Sequence, residues 1–157
     1  MRQTDTFIQW HEPSLTEECE RRRLALTQYT ERLKDAIHPT CIILFGSVAR
    51  GTDKVWSDLD VVIVGGSLLD KLFERLRVVR RLKRGLPASI DAFPYTEAGF
   101  ERMTENAHLT ALESIRHGGP LHGEAYFQRL RVKFNRLVAK QGWRRTNLGW
   151  TVVPQTP

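Results

Sequence analysis

A short apolar run that ends in glycine and serine constrains the fold more than any other feature of the chain. Residues 41–45 are wholly apolar, which is typical of a strand buried on both faces of a sheet. Gly46 and Ser47 interrupt this run, and a second strand pattern occupies residues 58–64. The order of strand, tight turn and strand predicts a small sheet with polar groups at one end.

The second strand pattern opens with two aspartates that predict a site for a divalent cation. Residues i and i+2 of a strand point to the same face, so Asp58 and Asp60 place two carboxylates side by side. Leu59 and Val61 then point to the core. Adjacent negative charges repel each other unless a cation lies between them. We expect Mg²⁺ here, because it prefers oxygen ligands and is usually held by one or two carboxylates and substrate phosphates.

A third carboxylate, Asp91, lies in an otherwise apolar strand pattern at residues 88–93. A charged group there is costly unless it is paired or bound to a metal. Taken alone, Asp91 reads as a strand-edge residue or a cap; beside the other two aspartates it reads as a metal ligand or base. Two metal ions about 3.5–4 Å apart can activate an attacking hydroxyl and neutralise a leaving pyrophosphate.

The Gly-Ser turn suits a phosphate group. Gly46 lets backbone amides approach a ligand closely, and a helix starting at Ser47 would add its N-terminal amides. An ordinary turn with a serine cap would look the same. Arg50 either neutralises phosphate charge or pairs with an aspartate of the following loop, and its spacing leaves both readings open.

Together these residues resemble a known signature. Phe45-Gly46-Ser47, ten intervening residues and then Asp58-Leu59-Asp60-Val61 are similar to the motif of the DNA polymerase β-like nucleotidyltransferase superfamily. The form Gly46-Ser47-Val48-Ala49-Arg50-Gly51, with Ser57 before Asp58, looks like its minimal nucleotidyltransferase branch. The resemblance covers residues 39–93 well and the flanking helices more weakly.

The resemblance implies an α/β (α+β) fold, with a small mixed β-sheet flanked by helices. It implies that Asp58 and Asp60 hold two Mg²⁺ ions, and that Asp91 binds the catalytic metal and helps to deprotonate the acceptor. Gly46 and Ser47 would bind the triphosphate of the nucleotide, and we add Arg50 as a candidate nucleotide-binding residue. The reaction would transfer a nucleoside monophosphate, most often AMP from ATP, to an acceptor hydroxyl, with release of pyrophosphate.

Members of this branch are often antitoxins in toxin–antitoxin systems, paired with a HEPN-type ribonuclease toxin that some of them AMPylate on a tyrosine. The resemblance therefore implies a protein partner of that type. Two alternatives remain open: a non-catalytic module that neutralises a toxin by contact alone, and a nucleotidyltransferase that acts on RNA ends or on a small molecule.

The rest of the chain predicts one domain with appended ends. We expect a flexible arm at 1–12, a nucleotidyltransferase domain at 13–141 with its core motifs at 39–94, and a basic, Trp-containing tail at 142–157. Ser14 is the predicted cap of a first helix with an apolar stripe that includes Leu24. One long helix is predicted from the Thr96 cap to Gly118.

Composition adds limits on partners and location. The net charge of +6 favours anionic partners such as nucleotides, RNA or an acidic protein, although the arginine clusters at 21–23, 75–84 and 129–145 also suit solvated helix faces. No apolar run reaches the roughly 18–20 residues of a membrane span, and no signal peptide is evident, so we expect a cytoplasmic protein. Cys19 and Cys41 are predicted to be reduced, and a homo-oligomer remains open.

Overall fold

The computed structural model describes residues 17–54, 57–67 and 70–153. The predicted arm at 1–12 and the Ser14 cap lie outside these residues. The helices are α1 (Glu17–Ile37), α2 (Gly46–Arg50), α3 (Leu72–Leu82), α4 (Glu97–Glu105), α5 (Leu109–His117) and α6 (Glu124–Gln141). The strands are β1 (Cys41–Phe45), β2 (Leu59–Val64), β3 (Ile90–Tyr95), β4 (Gly119–His122), β5 (Trp143–Thr146) and β6 (Gly149–Val152).

Four strands form one mixed sheet in the order β3-β2-β1-β4. The central strand β1 is antiparallel to both β2 and β4, whereas β2 and β3 run parallel. The prediction of a small mixed sheet flanked by helices is confirmed. The segment Gly119–His122 contributes the edge strand β4.

Helices cover both faces of this sheet, which explains why β1 is apolar throughout. On one face, Ile42 and Leu44 pack with residues of α1 and with Val79 of α3. On the other, Ile43 and Phe45 pack with residues of α4, α5 and α6. Each side of the strand therefore removes apolar surface from water, the main favourable contribution to folding.

The buried face of α1 differs from the predicted stripe at one turn. Leu26, Tyr29 and Leu33 are buried as expected, but Leu24 is 50% exposed. The position four residues before Leu26 on the same face is Arg22, which is only 3% exposed. Residues four apart lie on one face of a helix, so Arg22 continues the stripe and is not part of a solvated basic cluster.

The single helix predicted from Thr96 is wrong, because two helices occupy that segment. The Thr96 cap itself is confirmed, since its Oγ1 accepts a hydrogen bond from the Gly99 amide at 3.1 Å. The break follows Thr104, whose hydroxyl donates to the Phe100 carbonyl at 2.9 Å, a bond that often bends helices. Ala107 then adopts a positive φ of 55°, which redirects the chain into α5.

The C-terminal segment contains a two-stranded antiparallel hairpin, β5–β6, where the sequence analysis predicted a basic tail. Trp143 and Trp150 pack against the core cluster on the α4–α6 side of the sheet. The Trp150 ring lies edge-on to Phe134 of α6, with the ring centres 5.7 Å apart. Within the described residues, no helix has the length and apolar character needed to cross a membrane.

Candidate active site

The sequence-predicted residues gather at one end of the sheet, where β1 ends and β2 and β3 begin. In the strand register, Asp60 pairs with Phe45 of β1 on one side and with Asp91 of β3 on the other. Paired residues of adjacent strands point to the same face and lie about 5 Å apart. Asp58 lies just before β2, two residues from Asp60. The structure therefore brings the three aspartates together.

The electrostatics of Asp60 follow from this crowding. Burial raises the pKa of its carboxyl, and the negative charges of Asp91 and Asp58 raise it further. The Arg50 guanidinium acts in the opposite direction and lowers the pKa of Asp60. Asp60 is half-buried, while Asp58 and Asp91 are exposed and can reach a ligand from solvent. The site is an acidic cluster with one arginine nearby.

Gly46 packs directly against this cluster. Its φ of 78° lies in the left-handed region that side chains rarely adopt, and a Cβ placed there would overlap the Asp60 Oδ2 atom. Only glycine therefore allows the turn to pass so close to the carboxylate. Helix α2 begins at this residue, earlier than predicted, and Ser47 is its second residue and not its cap.

Arg50 makes an ion pair with Glu113 of α5, with Nη1 and Oε2 3.3 Å apart. The sequence left open that Arg50 pairs with an aspartate of the following loop. Asp53 of that loop pairs instead with Arg22, with Nη1 and Oδ2 2.6 Å apart. The effect of Arg50 on the pKa of Asp60 places its charge within reach of the acidic cluster. It can therefore face an anionic ligand bound there.

The donor set fits a magnesium–nucleotide complex better than a metal held by protein alone. Among residues 17–54, 57–67 and 70–153, no three His, Cys, Asp or Glu side chains converge closely enough to hold a metal ion. Mg²⁺, however, commonly takes only one or two carboxylates and completes its shell with water and substrate phosphates. The mutual repulsion that raises the pKa of Asp60 is the kind that a cation relieves.

Arg22 is a structural residue of this site that the sequence did not reveal. Its guanidinium donates to Asp53 Oδ2 at 2.6 Å, to the Lys54 carbonyl at 2.8 Å and to the Ser57 carbonyl at 2.9 Å. These bonds anchor the loop that joins α2 to Asp58. Its helical spacing from Leu26 is the signal that could have identified it as buried.

Glu113 is a second residue that sequence reasoning missed. Its Oε1 accepts hydrogen bonds from Arg145 Nε at 2.8 Å and from Trp150 Nε1 at 2.9 Å, both in the hairpin. Burial alone would raise its pKa, but these two bonds and the positive charges of Arg145 and His117 together hold the pKa below its usual value. No local motif marks this residue, because its partners lie more than thirty positions away.

Comparison with known proteins agrees with this geometry. The family model described as nucleotidyltransferase domain matches residues 26–112, more than half of the chain. That segment contains all six residues predicted for the site, and the match confirms the resemblance found in the sequence. No curated protein matches the chain at a significant level.

Solved structures support the fold. A chain from a crystal structure of a toxin–antitoxin with AMP-PNP is 21% identical, with a TM-score of 0.52, covering 74% of this chain and 91% of that chain. A chain from the toxin–antitoxin MntA-HpeT, in a mutant with two aspartates changed to glutamate, is 17% identical with a TM-score of 0.51 and the same coverage. A chain from a tyrosine-to-alanine mutant of that complex is 21% identical, with a TM-score of 0.51, covering 73% of this chain and 89% of that chain.

Proposed function

Because the chain belongs to the nucleotidyltransferase domain family, we propose that it transfers AMP from Mg²⁺-bound ATP to a hydroxyl group on a protein partner. The observation that carries this proposal is the in-register pairing of Asp60 with Asp91, beside a glycine that leaves room for nothing but the Asp60 carboxylate. The two carboxylates, the Gly46 turn and the charge of Arg50 lie at the same end of the sheet, which supports this proposal.

In this proposal, the turn and the aspartates divide the work of holding the triphosphate. Gly46 and Ser47 present backbone amides and a hydroxyl to phosphate oxygens, and Arg50 offsets part of their charge. Asp58 and Asp60 would hold two Mg²⁺ ions, with Asp91 as a further ligand of one. When bound, Mg²⁺ stabilises negative charge on the phosphate oxygens.

Asp91 is the proposed base. It is exposed at the start of β3, so an acceptor hydroxyl can approach it from solvent. As the acceptor oxygen forms a bond to the α-phosphorus, its proton passes to the Asp91 carboxylate. The bond between the α-phosphorus and the bridging oxygen breaks, and pyrophosphate leaves with that electron pair.

We propose a HEPN-type toxin as the acceptor, which would make this chain the antitoxin of a pair. Support comes from the short motif and from a fold shared with chains of toxin–antitoxin structures, one of which was solved with AMP-PNP. The proposed catalytic unit is residues 13–141, and the basic tail at 142–157, which contains the hairpin, is an addition to it.

The direct test uses two differently labelled nucleotides. The protein, Mg²⁺ and the product of the adjacent gene are incubated with ATP labelled on the α-phosphate, and separately with ATP labelled on the γ-phosphate. We expect covalent label on the partner from the first nucleotide only. Label from the γ-phosphate would indicate a kinase and would overturn the proposal.

Matched variants make this test specific to the site. Asp91→Asn should abolish labelling, whereas Asp35→Asn, an identical change on the exposed face of α1, should leave it intact. A pure binding module predicts toxin neutralisation that survives Asp58→Ala and Asp60→Ala with no label transferred. Label on added tRNA instead of protein would assign the chain to RNA ends.

A further inference from the structure

Glu113 joins three parts of the molecule that are distant in sequence. It lies on α5, and its side chain is only 12% exposed. One carboxylate oxygen accepts from Arg145 and Trp150 of the hairpin, at 2.8 and 2.9 Å. The other oxygen pairs with Arg50 of α2 at the longer distance of 3.3 Å. The carboxylate is therefore held firmly by the hairpin and more loosely by Arg50.

Charge balance gives this arrangement a consequence for the active site. A single negative charge is shared between two guanidinium groups, so the trio of Arg50, Glu113 and Arg145 carries a net charge of about +1. Without Arg145, Glu113 would neutralise Arg50 alone. Because Arg50 also acts on Asp60, the charge it retains lies at the edge of the acidic cluster.

We propose that Glu113 is a positioning residue that couples the C-terminal hairpin to Arg50, so that Arg145 keeps the Arg50 charge available to a bound triphosphate. This inference rests on the proposed function, since it assigns a partner to its nucleotide-binding arginine. The family match ends at residue 112, so both Glu113 and the hairpin lie beyond the matched segment.

The test is a set of affinity measurements with Mg²⁺ and α,β-methylene-ATP, which binds without transferring AMP. Arg145→Gln should weaken binding about three- to tenfold, which is the lower part of the range of coupling measured between contacting groups. The same substitution should have almost no effect in an Arg50→Gln background or in a Glu113→Gln background. Equal losses in all three backgrounds would show that Arg145 acts independently and would overturn the proposal.

Arg144→Gln is the matched control. It removes the same charge from the adjacent position of β5, where an exposed side chain points to the other face of the hairpin. We expect its effect on affinity to be less than about twofold, because exposed charges are screened at physiological salt. If Arg144→Gln lost as much affinity as Arg145→Gln, the effect would come from net charge alone, and the coupling would be contradicted.

A spectroscopic readout separates coupling from mere folding. Coupling is reciprocal, so nucleotide binding should change the hydrogen bond from Trp150 to Glu113. In a spectrum of ¹⁵N-labelled protein, the Trp150 indole signal, assigned with Trp150→Phe, should shift on adding the Mg²⁺ complex. The shift should vanish in Arg50→Gln, and its persistence there would contradict the proposal. If the wild-type protein does not bind the nucleotide, both the proposed function and the coupling are wrong. If the wild-type protein binds it and Asp60→Asn does not, the proposed site stands, and the other measurements test the coupling alone.

Discussion

Gly46 shows how one residue can join backbone geometry to chemistry. Its positive φ lets the chain leave β1 and enter α2 at once, and its missing side chain makes room for the Asp60 carboxylate. The motif identified this glycine from the sequence, since a glycine between a buried strand and a helix is a recognisable signal. The identity of the atom that it accommodates could not be predicted, because that contact depends on the register between β1 and β2.

Gly46→Ala should therefore lower activity far more than stability. The new methyl group would displace the Asp60 carboxylate, and a displacement of about 1 Å at reacting groups can cost on the order of a hundredfold in rate. Gly85→Ala is the control, because Gly85 has a φ of 72° but nothing within 4 Å of an added Cβ. Both variants should lose about 1–2 kcal/mol of unfolding free energy in urea, because alanine is strained at a positive φ, and only Gly46→Ala should lose label transfer. Equal activity in the two variants would exclude the close approach.

Asp60→Asn should stabilise the ligand-free protein at neutral pH. The pKa of Asp60 is raised in the folded state, so folding favours its protonated form. The stability linked to this group is fully present below the unfolded-state pKa and is lost as pH rises through the folded-state pKa. At pH 7 the charged carboxylate of Asp60 therefore destabilises the folded state, and asparagine removes that charge.

The check is a comparison of melting temperatures in the presence of a metal chelator. Asp60→Asn should melt above wild type at pH 7, and the difference should shrink as the pH falls and Asp60 of the wild type becomes protonated. Asp35→Asn, on an exposed helix face, should show no such trend. A variant that melts below wild type at pH 7 would show that the three aspartates are not in repulsive contact.

Among the elements, α1 supports the site through a residue that does not touch it. Arg22 takes the place of an apolar side chain on the buried face of α1 and holds the loop before Asp58 through hydrogen bonds to Asp53, Lys54 and Ser57. The strands β1 and β2 were predictable because both contain apolar runs bounded by turns. The role of Arg22 was not predictable, because three consecutive arginines suggest a solvated surface. Only the position of each one around the helix axis shows that Arg22 lies on the buried face.

Arg22→Ala should lower the free energy of unfolding by about 2–4 kcal/mol, since it leaves a half-buried carboxylate and two carbonyls without their charged donor. Arg21 lies one position from Arg22 and makes an ion pair with Glu18 at the surface. Arg21→Ala removes this pair and should change the free energy of unfolding by less than about 0.5 kcal/mol. Urea unfolding followed by circular dichroism measures both. A similar small loss for the two variants would mean that the loop does not depend on Arg22.

The break between α4 and α5 shows the limit of local patterns at this scale. The apolar spacing from Phe100 to Ile115 is continuous enough to suggest one helix, and neither glycine nor proline interrupts it. The chain nevertheless turns at Ala107, and this turn gives α5 the direction that brings Glu113 to Arg50. Packing against the sheet decides that direction, and packing is not encoded in a periodic pattern.

At the scale of the whole molecule, the site is a product of topology. Its components come from the end of one strand and the beginnings of two others, and only the order β3-β2-β1 makes them neighbours. Asp58, Asp60 and Asp91 could be predicted from the sequence because carboxylates are unusual in apolar strands. It could not supply the parallel pairing that sets Asp91 beside Asp60, nor the hairpin that reaches Glu113 from the end of the chain.

Paramagnetic Mn²⁺ in place of Mg²⁺ tests the central claim most directly, since it needs no knowledge of the acceptor. With α,β-methylene-ATP present, Mn²⁺ bound at the acidic cluster should broaden the amide signals of Gly46, Ser47, Asp60 and Asp91. We predict that this broadening requires the nucleotide and disappears in a variant with both Asp60→Asn and Asp91→Asn. Broadening centred on another part of the chain, or broadening that survives both substitutions, would contradict the assignment of the nucleotide site.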